Sequence, residues 1–293
     1  MYMSIKKIFR FYFHKIHWIN KYMQKRLSPK YYIHFATYIL PPLLLKIPNF
    51  KLKFDLLPNN KISIEYNEDK KLFFSLNRIK RYTVANSYGK KSSGFFEASL
   101  KLIETYQLNN IEIEESDSII EIGANIGELT SFFITKSNQV FCFEIDPIAL
   151  ECLKFNCPTA KIIEKAASNK TGEFNLYLHS LNASSSLIPN FDSQEKDSDN
   201  NCITVPTQRL DDFMKIQSIE KVKLLKIEAE GAEPEVLMGL GDRIKDIGYI
   251  AIDAGPERFG KSTVSEVVEI LEKNGFQIKT RNFHVIGCNS SVC

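Results

Sequence analysis

Asp117–Glu128, DSIIEIGANIGE, is the stretch from which the rest of the chain can be read. An apolar strand, Ser118–Ile122, runs into Gly123, and a second glycine, Gly127, precedes the next helical pattern. Glycines let a backbone approach a ligand closely, and a new helix presents free N–H groups. A dinucleotide-binding turn has the form G-x-G-x-x-G, and here those places are held by Gly123, Asn125 and Glu128. Two of the three glycines are missing, and Glu128 puts an acid where a pyrophosphate would sit. A ligand with a ribose and a zwitterionic tail, but no pyrophosphate, suits this turn better.

Downstream, Val140–Pro147 reads VFCFEIDP, a strand ending at Glu144, 21 residues after Gly123. That is about where a doubly wound fold places the acid that accepts the ribose hydroxyls. Each run by itself also fits an ordinary βα turn, but the pair at this spacing points to an adenosine site. A third run, Leu224–Gly239, reads LLKIEAEGAEPEVLMG: a strand, an acid cluster and a helix opened by Pro234. Glu233 and Glu235 in a first helical turn suit the helix dipole. Glu228 and Glu230 lie at the carboxyl end of a central strand, where ligands of open α/β sheets bind, and could orient or deprotonate a hydroxyl.

Around these runs the pattern is strand–helix alternation. Apolar stretches at Ser118–Ile122, Val140–Ile145, Ile162–Ala167, Val222–Ala229 and Ile247–Asp253 are separated by helical patterns such as Asp146–Asn156 and Thr263–Lys273. This predicts a parallel sheet covered on both faces. Before it, residues 62–76 alternate around a polar turn at Asn67–Lys70 and predict a hairpin, and Ser99–Leu108 has helical spacing. Residues 188–202 read as a polar, acidic loop.

The chain has 293 residues, 44% hydrophobic and 25% charged, which excludes wholesale disorder and collagen-like classes. The six Cys form no CxxC pair, arguing for small core residues in a reducing compartment and against a zinc ribbon or a disulfide scaffold. His14, His17 and His34 lack ligand spacing, and His179 and His284 are isolated in sequence, so no metal is expected. The net charge of +3 is unevenly distributed: residues 1–54 contain 11 Lys/Arg and no Asp or Glu. The arm also carries Phe9, Phe11, Tyr12, Phe13 and Trp18. Basic residues with interleaved aromatics, and no nucleic-acid motif, predict a peripheral contact with an anionic membrane surface. The apolar run from Tyr31 to Ile47 includes His34 and Pro41-Pro42 and falls short of the roughly 20 residues of a span. No signal peptide is evident, so a cytoplasmic protein at the inner membrane face is expected.

Five runs occur in order, EIGANIG, FEIDP, KAAS, RLDDF and KIEAEGAE, and over residues 116–293 they resemble the FkbM family of S-adenosylmethionine-dependent methyltransferases. The resemblance implies a doubly wound, seven-stranded class I methyltransferase sheet with an antiparallel final hairpin, S-adenosyl-L-methionine as cofactor, and a sugar or polyketide-type hydroxyl as acceptor. A surface-glycan precursor, free or lipid-linked, is the preferred acceptor. By this similarity Glu121, Gly123, Asn125 and Gly127 would hold the methionine and ribose portion. Glu144 would bind the ribose hydroxyls and Ala166 would lie near the adenine. Glu230 and Glu228 would serve the acceptor; Glu228 stands where the family usually has Asp, moving the carboxylate by about one methylene. Asp253, Glu257 and Arg258, in the run DAGPER, would border the acceptor pocket. The expected division is residues 1–60 as a basic arm, 61–115 as a hairpin and helix leading into the core, and 116–293 as the methyltransferase domain.

Two other functions compete. Gly255–Ser262, GPERFGKS, satisfies the phosphate-loop spacing G-x-x-x-x-G-K-S of a nucleotide triphosphatase. Against it, Pro256 removes a cradling N–H, Glu257 adds a repelling charge, and few residues remain for a magnesium-binding strand. The other is a non-catalytic S-adenosylmethionine-binding domain of the same fold.

Overall fold

The computed structural model describes residues 53–57, 61–67, 70–75, 95–177 and 202–290. The chain divides into two compact units, Met1–Phe95 and Phe96–Cys293. The basic arm falls almost wholly outside the described residues, as do His14, His17, His34, His179 and the acidic loop up to residue 201. In the first unit β1 (Lys53–Leu57), β2 (Lys61–Asn67) and β3 (Lys70–Ser75) form an antiparallel sheet. β2 and β3 are the expected hairpin, and β1 is a third strand that alternation did not reveal. The expected segment 61–115 is thus shared between the two units.

The second unit holds α1 (Phe95–Thr105), β4 (Ser118–Ile122), α2 (Thr130–Phe133), β5 (Gln139–Phe143), α3 (Pro147–Asn156) and β6 (Lys161–Ile163). A small excursion follows through β7 (Ala166–Ala167), β8 (Gly172–Tyr177), β9 (Cys202–Gln208) and α4 (Leu210–Ile216). The chain then continues through β10 (Val222–Glu228), α5 (Glu233–Met238), β11 (Ile247–Asp253), α6 (Val264–Lys273), β12 (Phe276–Arg281) and β13 (His284–Asn289). Seven of these strands make one sheet in the order β12-β13-β11-β10-β4-β5-β6. β11, β10, β4, β5 and β6 are parallel, and β13 runs antiparallel to both β11 and β12. The doubly wound sheet and its antiparallel final hairpin are therefore as expected.

Alternation within the strands explains the two-sided core, since successive side chains point to opposite faces. Ile120, Ile122, Leu225, Ile227, Ile250 and Ile252 pack with Phe213, Val236, Val267 and Leu271 of the helices on one face. Ile119, Val140, Leu224 and Ala251 pack with Ile103, Tyr106, Phe133 and Leu153 on the other. α6 shows the helical counterpart: Val264, Val267, Val268 and Leu271 recur at i, i+3, i+4 and i+7, with Val267 and Leu271 fully buried. Each such side chain removed from water contributes roughly 1.5–3 kcal/mol as an upper estimate.

Three sequence boundaries shift. The strand expected to reach Ile145 ends at Phe143, because Glu144 turns its side chain back onto the following backbone. The strand expected over Ile162–Ala167 is two: β6 joins the main sheet, whereas β7 pairs with β9 in a separate sheet, β7-β9-β8. The helix expected to reach Leu108 ends at Thr105, with Gln107 in the left-handed region at φ 54°. The cysteines also depart from expectation. Cys142, Cys152 and Cys157 are buried and outside any disulfide, but Cys288 is disulfide-bonded.

The strand order also locates the crevice. From β4 the chain moves outward to β5 and β6, then returns to β10 on the opposite side and moves outward to β11. Neighbouring parallel strands whose connections diverge leave a cleft at their carboxyl ends. Here that cleft opens between β4 and β10.

Candidate active site

The cleft is built first from backbone. Gly123, φ 73°, follows β4, and its N–H donates to the carbonyl of Phe143 at 3.0 Å. A Cβ there would overlap the carbonyl oxygen of Glu228, so only glycine allows the ends of β4 and β10 to approach this closely. Asn125 takes a left-handed conformation, φ 52°, which Asn tolerates better than most residues. A Cβ on Gly127 would lie 2.6 Å from Cys157 Sγ, so this second glycine lets the turn settle onto α3.

Glu144 ties that turn to the next strand end. Its Oε2 accepts the Asn125 N–H at 2.7 Å, and its Oε1 accepts the N–H groups of Ile145 and Asp146, both at 2.8 Å. Burial raises its carboxyl above the ordinary range, with the three backbone donors pulling the other way. Asp146 accepts the Ala149 N–H at 3.1 Å, an N-cap followed by Pro147 in the first helical position. The run FEIDP is therefore one unit, in which the acid is pinned by amides and the next two residues start α3. A carboxylate offers about four acceptor positions, so Glu144 retains one for a ligand. On this count the residues would fit an adenosine moiety, with room for one ribose hydroxyl. Ala166 is buried in β7, beyond the end of β6.

Beneath the turn, Glu121 is fully buried and accepts the Thr130 hydroxyl at 2.7 Å. Burial pushes its carboxyl up to about 7 against the pull of Lys226. Glu128 is also buried and lies 3.5 Å from the Asn125 side-chain amide nitrogen.

The other wall consists of side chains. Glu228 pairs in register with Asp253, and Asp253 with His284, so these three form a row across β10, β11 and β13. His284 Nε2 lies 3.6 Å from Asp253 Oδ2, and Tyr106 meets the imidazole edge-to-face at 5.4 Å. Burial and the Glu228 charge raise the Asp253 carboxyl, with His284 and Lys226 opposing. Burial, with the charges of Asp253, Glu233 and Glu228, likewise raises Glu257. Glu230 stands on the turn after β10 at φ 49°, half-buried.

Two residues of the acid run proved to be more than dipole partners. Glu233 is fully buried, accepting the N–H groups of Ala229 and Gly231 and the hydroxyl of Thr263. It clamps the turn that carries Glu230. Glu235 forms an ion pair with Arg258, whose Nε donates to the Gly231 carbonyl at 2.8 Å. Arg258 thus braces the same turn.

The phosphate-loop spacing has no matching geometry. The Glu257 carboxylate fills the space beside Gly255, where a Cβ would clash with it. Ser262 donates its hydroxyl to the Ala254 carbonyl at 2.6 Å and accepts the Val264 N–H. An acid inside the turn repels phosphate, and the hydroxyl that would meet magnesium is engaged.

Lys226 is the residue the sequence reading passed over. It is buried, 2% exposed, its ammonium 2.8 Å from Glu228 Oε2 and 3.5 Å from the Gly123 carbonyl. A lysine inside the apolar run Val222–Ile227 was the available signal, because a cation within a central strand demands a buried counter-charge.

A seven-stranded sheet in this order, with a glycine turn and an acid at the ends of adjacent strands, defines the class I methyltransferase fold. Residues 121–278, more than half of the chain, match the Methyltransferase FkbM domain, and the chain belongs to that family. Hexuronic acid methyltransferase AglP of Haloferax volcanii is 25% identical over 146 residues, covering 48% of this chain and 57% of that protein. The match therefore spans little more than half of that relative's length. Among solved structures, an rRNA methylase from Streptococcus thermophilus has a TM-score of 0.38 at 13% identity, covering 64% of this chain and 95% of its own. Magnesium protoporphyrin IX methyltransferase from Synechocystis PCC 6803, solved with SAM bound, has a TM-score of 0.38 at 9% identity, covering 69% and 88%.

Proposed function

We propose that the chain is an S-adenosyl-L-methionine-dependent O-methyltransferase acting on a sugar hydroxyl, in a free or lipid-linked precursor of a surface glycan. The observation that carries this reading is the close approach of Gly123 to the Glu228 backbone, which supports a half-buried Glu228 carboxylate beside the cofactor crevice. A sugar-directed relative, the hexuronic acid methyltransferase, supports the acceptor class.

When bound, the cofactor supplies a methyl carbon open to in-line displacement by an acceptor oxygen. Glu144 and the 123–127 turn hold its ribose and methionine ends, with Ala166 on the adenine side. Aligning two reacting groups supplies most of the acceleration in such a transfer. Glu228 and Glu230 orient the acceptor hydroxyl and take its proton as the oxygen–methyl bond forms. Asp253 and Glu257 bond further acceptor hydroxyls, and Arg258 acts through the turn it braces.

The test is transfer of labelled methyl from S-adenosylmethionine to a panel of sugars and lipid-linked sugars, followed by mass spectrometry. Glu230→Gln should lower turnover at least about a hundredfold, the weaker end of a general-base contribution, and Glu228→Gln by as much or less, while S-adenosylhomocysteine still binds. Loss of cofactor binding in Glu230→Gln would put that carboxylate on the wrong side of the methyl group. Binding without transfer to any acceptor would make the domain a binder.

Residues 1–54 dock the enzyme on anionic lipid at the cytoplasmic face, beside such precursors. No helix among the described residues is long and apolar enough to cross a membrane. Each basic residue near an anionic surface contributes about 1 kcal/mol, and the 11 Lys/Arg are unopposed by acids in this stretch. The full chain should float with anionic vesicles at low salt, and a chain beginning at Leu56 should not. Equal behaviour gives the arm a structural role instead.

A further inference from the structure

We propose that Lys226 is the positioning residue of the acceptor side: its buried ammonium fixes the Glu228 carboxylate and holds it ionised before any acceptor arrives. This rests on reading Glu228 as a proton acceptor.

The geometry assigns the ammonium to Glu228. Lys226 and Glu228 lie two residues apart on β10, hence on one face of the strand, and their charged atoms meet at 2.8 Å. The Lys226 side chain is 2% exposed and that of Glu228 32% exposed. The cation is therefore sealed below the crevice while its partner reaches the lip. Lys226 cannot present itself to a ligand and acts through Glu228.

The surroundings complete the arrangement. Tyr106 lies over the ammonium with its ring centre at 5.8 Å, within cation–π range, and the Gly123 carbonyl lies at 3.5 Å. Glu121, in register with Lys226 across β4, is the other close carboxylate. A buried cation requires a counter-charge, and a second anion beside it would be left in excess. Glu228 holds the ammonium directly, whereas burial pushes the Glu121 carboxyl up to about 7, toward its neutral form. Burial draws the Lys226 amine down, but the neighbouring carboxylates, Glu228 foremost, outweigh it and raise it above its ordinary value. Glu128 adds its charge to the pull on Lys226, and Asp253 borders Glu228 on β11.

Nuclear magnetic resonance on the full chain tests this without knowledge of the acceptor. With carboxyl-labelled glutamate, the Glu228 signal is assigned by its loss in Glu228→Gln and titrated. In Lys226→Met its midpoint should rise by at least about one pH unit, a tenfold weaker acid, and in Lys226→Arg it should return most of the way to wild type. An unchanged midpoint in folded Lys226→Met overturns the proposal. Should that variant not fold, lysine-selective detection in Glu228→Gln gives the reciprocal test. There the Lys226 amine should lose its proton at least about one pH unit lower than in wild type, and an unmoved amine overturns the proposal. Calorimetry with S-adenosylhomocysteine separates this inference from the methyltransferase reading. Lys226→Met should keep an affinity within about threefold of wild type. Lost affinity with an unshifted Glu228 would make Lys226 a cofactor-side residue. A wild-type chain that binds no S-adenosylhomocysteine overturns the methyltransferase reading, and the role in transfer with it, even where the Glu228 midpoint moves.

Discussion

The two walls of the cleft are made differently. The wall after β4 and β5 is backbone: Gly123 against the Glu228 carbonyl, and Glu144 held by three amides. The wall at the ends of β10 and β11 and the start of β13 is side chain: Lys226, Glu228, Asp253 and His284, each paired with a neighbour. Backbone donors keep their places whatever the surrounding side chains are, so the first wall can serve one invariant ligand. Side chains can be exchanged without refolding a strand, so on the proposed reading the second wall is the one that can vary with the acceptor. Glu233 and Arg258 mark the boundary, since they fix the backbone of the turn that carries Glu230.

The comparison breaks most sharply at Gly123. A methyl group there overlaps the Glu228 carbonyl and forces a non-glycine residue to φ 73°. Neither conflict can be relieved by rotating a side chain, because both lie in backbone. Gly123→Ala should lose about 3 kcal/mol or more of stability and all measurable affinity for S-adenosylhomocysteine, read by urea unfolding and calorimetry. Retention of both would mean the strand ends can separate, and that the first wall is softer than its geometry implies.

Glu144→Ala is the next test. It removes an acceptor from the ligand and leaves the amides of Asn125, Ile145 and Asp146 without their partner. A hydrogen bond to a charged group contributes about 1.5–3 kcal/mol, and each orphaned donor adds a further cost. S-adenosylhomocysteine affinity should fall about 100-fold or more while the sheet still folds. A fall of the same size in Asp253→Ala would erase the distinction between the walls.

The sequence made the first wall more legible than the second, for a physical reason. Ser118–Ile122 and Ile247–Asp253 are strands at the expected residues, and the Gly123-to-Glu144 spacing pointed to an acid at the next strand end, because local chain geometry dictates these; its three amide donors were not foreseen. The second wall depends on register between distant strands. His284 reaches Asp253 only because β13 returns antiparallel to β11, and nothing within the run around His284 encodes that pairing. β7 likewise leaves the main sheet because its partner β9 lies beyond the acidic loop. Glu233 read as a helix-dipole acid because its position in the first turn is visible in sequence, whereas its burial and its bond to Thr263 are not. Lys226 was hidden by similar logic, a charge whose two partners lie on its own strand and across β4.

The smallest expected effect concerns Glu121, and it asks whether charge also enters the first wall. Burial pushes this carboxyl from 4.5 up to about 7, against Lys226 and the Thr130 hydroxyl, with Glu128 and Glu228 adding to the rise. In the unfolded chain it titrates near its ordinary value. Between the two values the folded protein holds a proton that the unfolded chain has released, so stability from this group is full below about 4.5 and is lost as pH rises through about 7. Glu121→Gln keeps a neutral group beside Thr130 and removes that dependence. Relative to wild type it should gain stability between pH 5 and pH 8, by less than about 3 kcal/mol at the full shift, read as urea midpoints at both pH values. The same pH dependence in both proteins would show that Lys226 already holds Glu121 ionised. The buried cation would then be shared between the two walls, and Glu228 would have a weaker claim on it than its 2.8 Å contact implies.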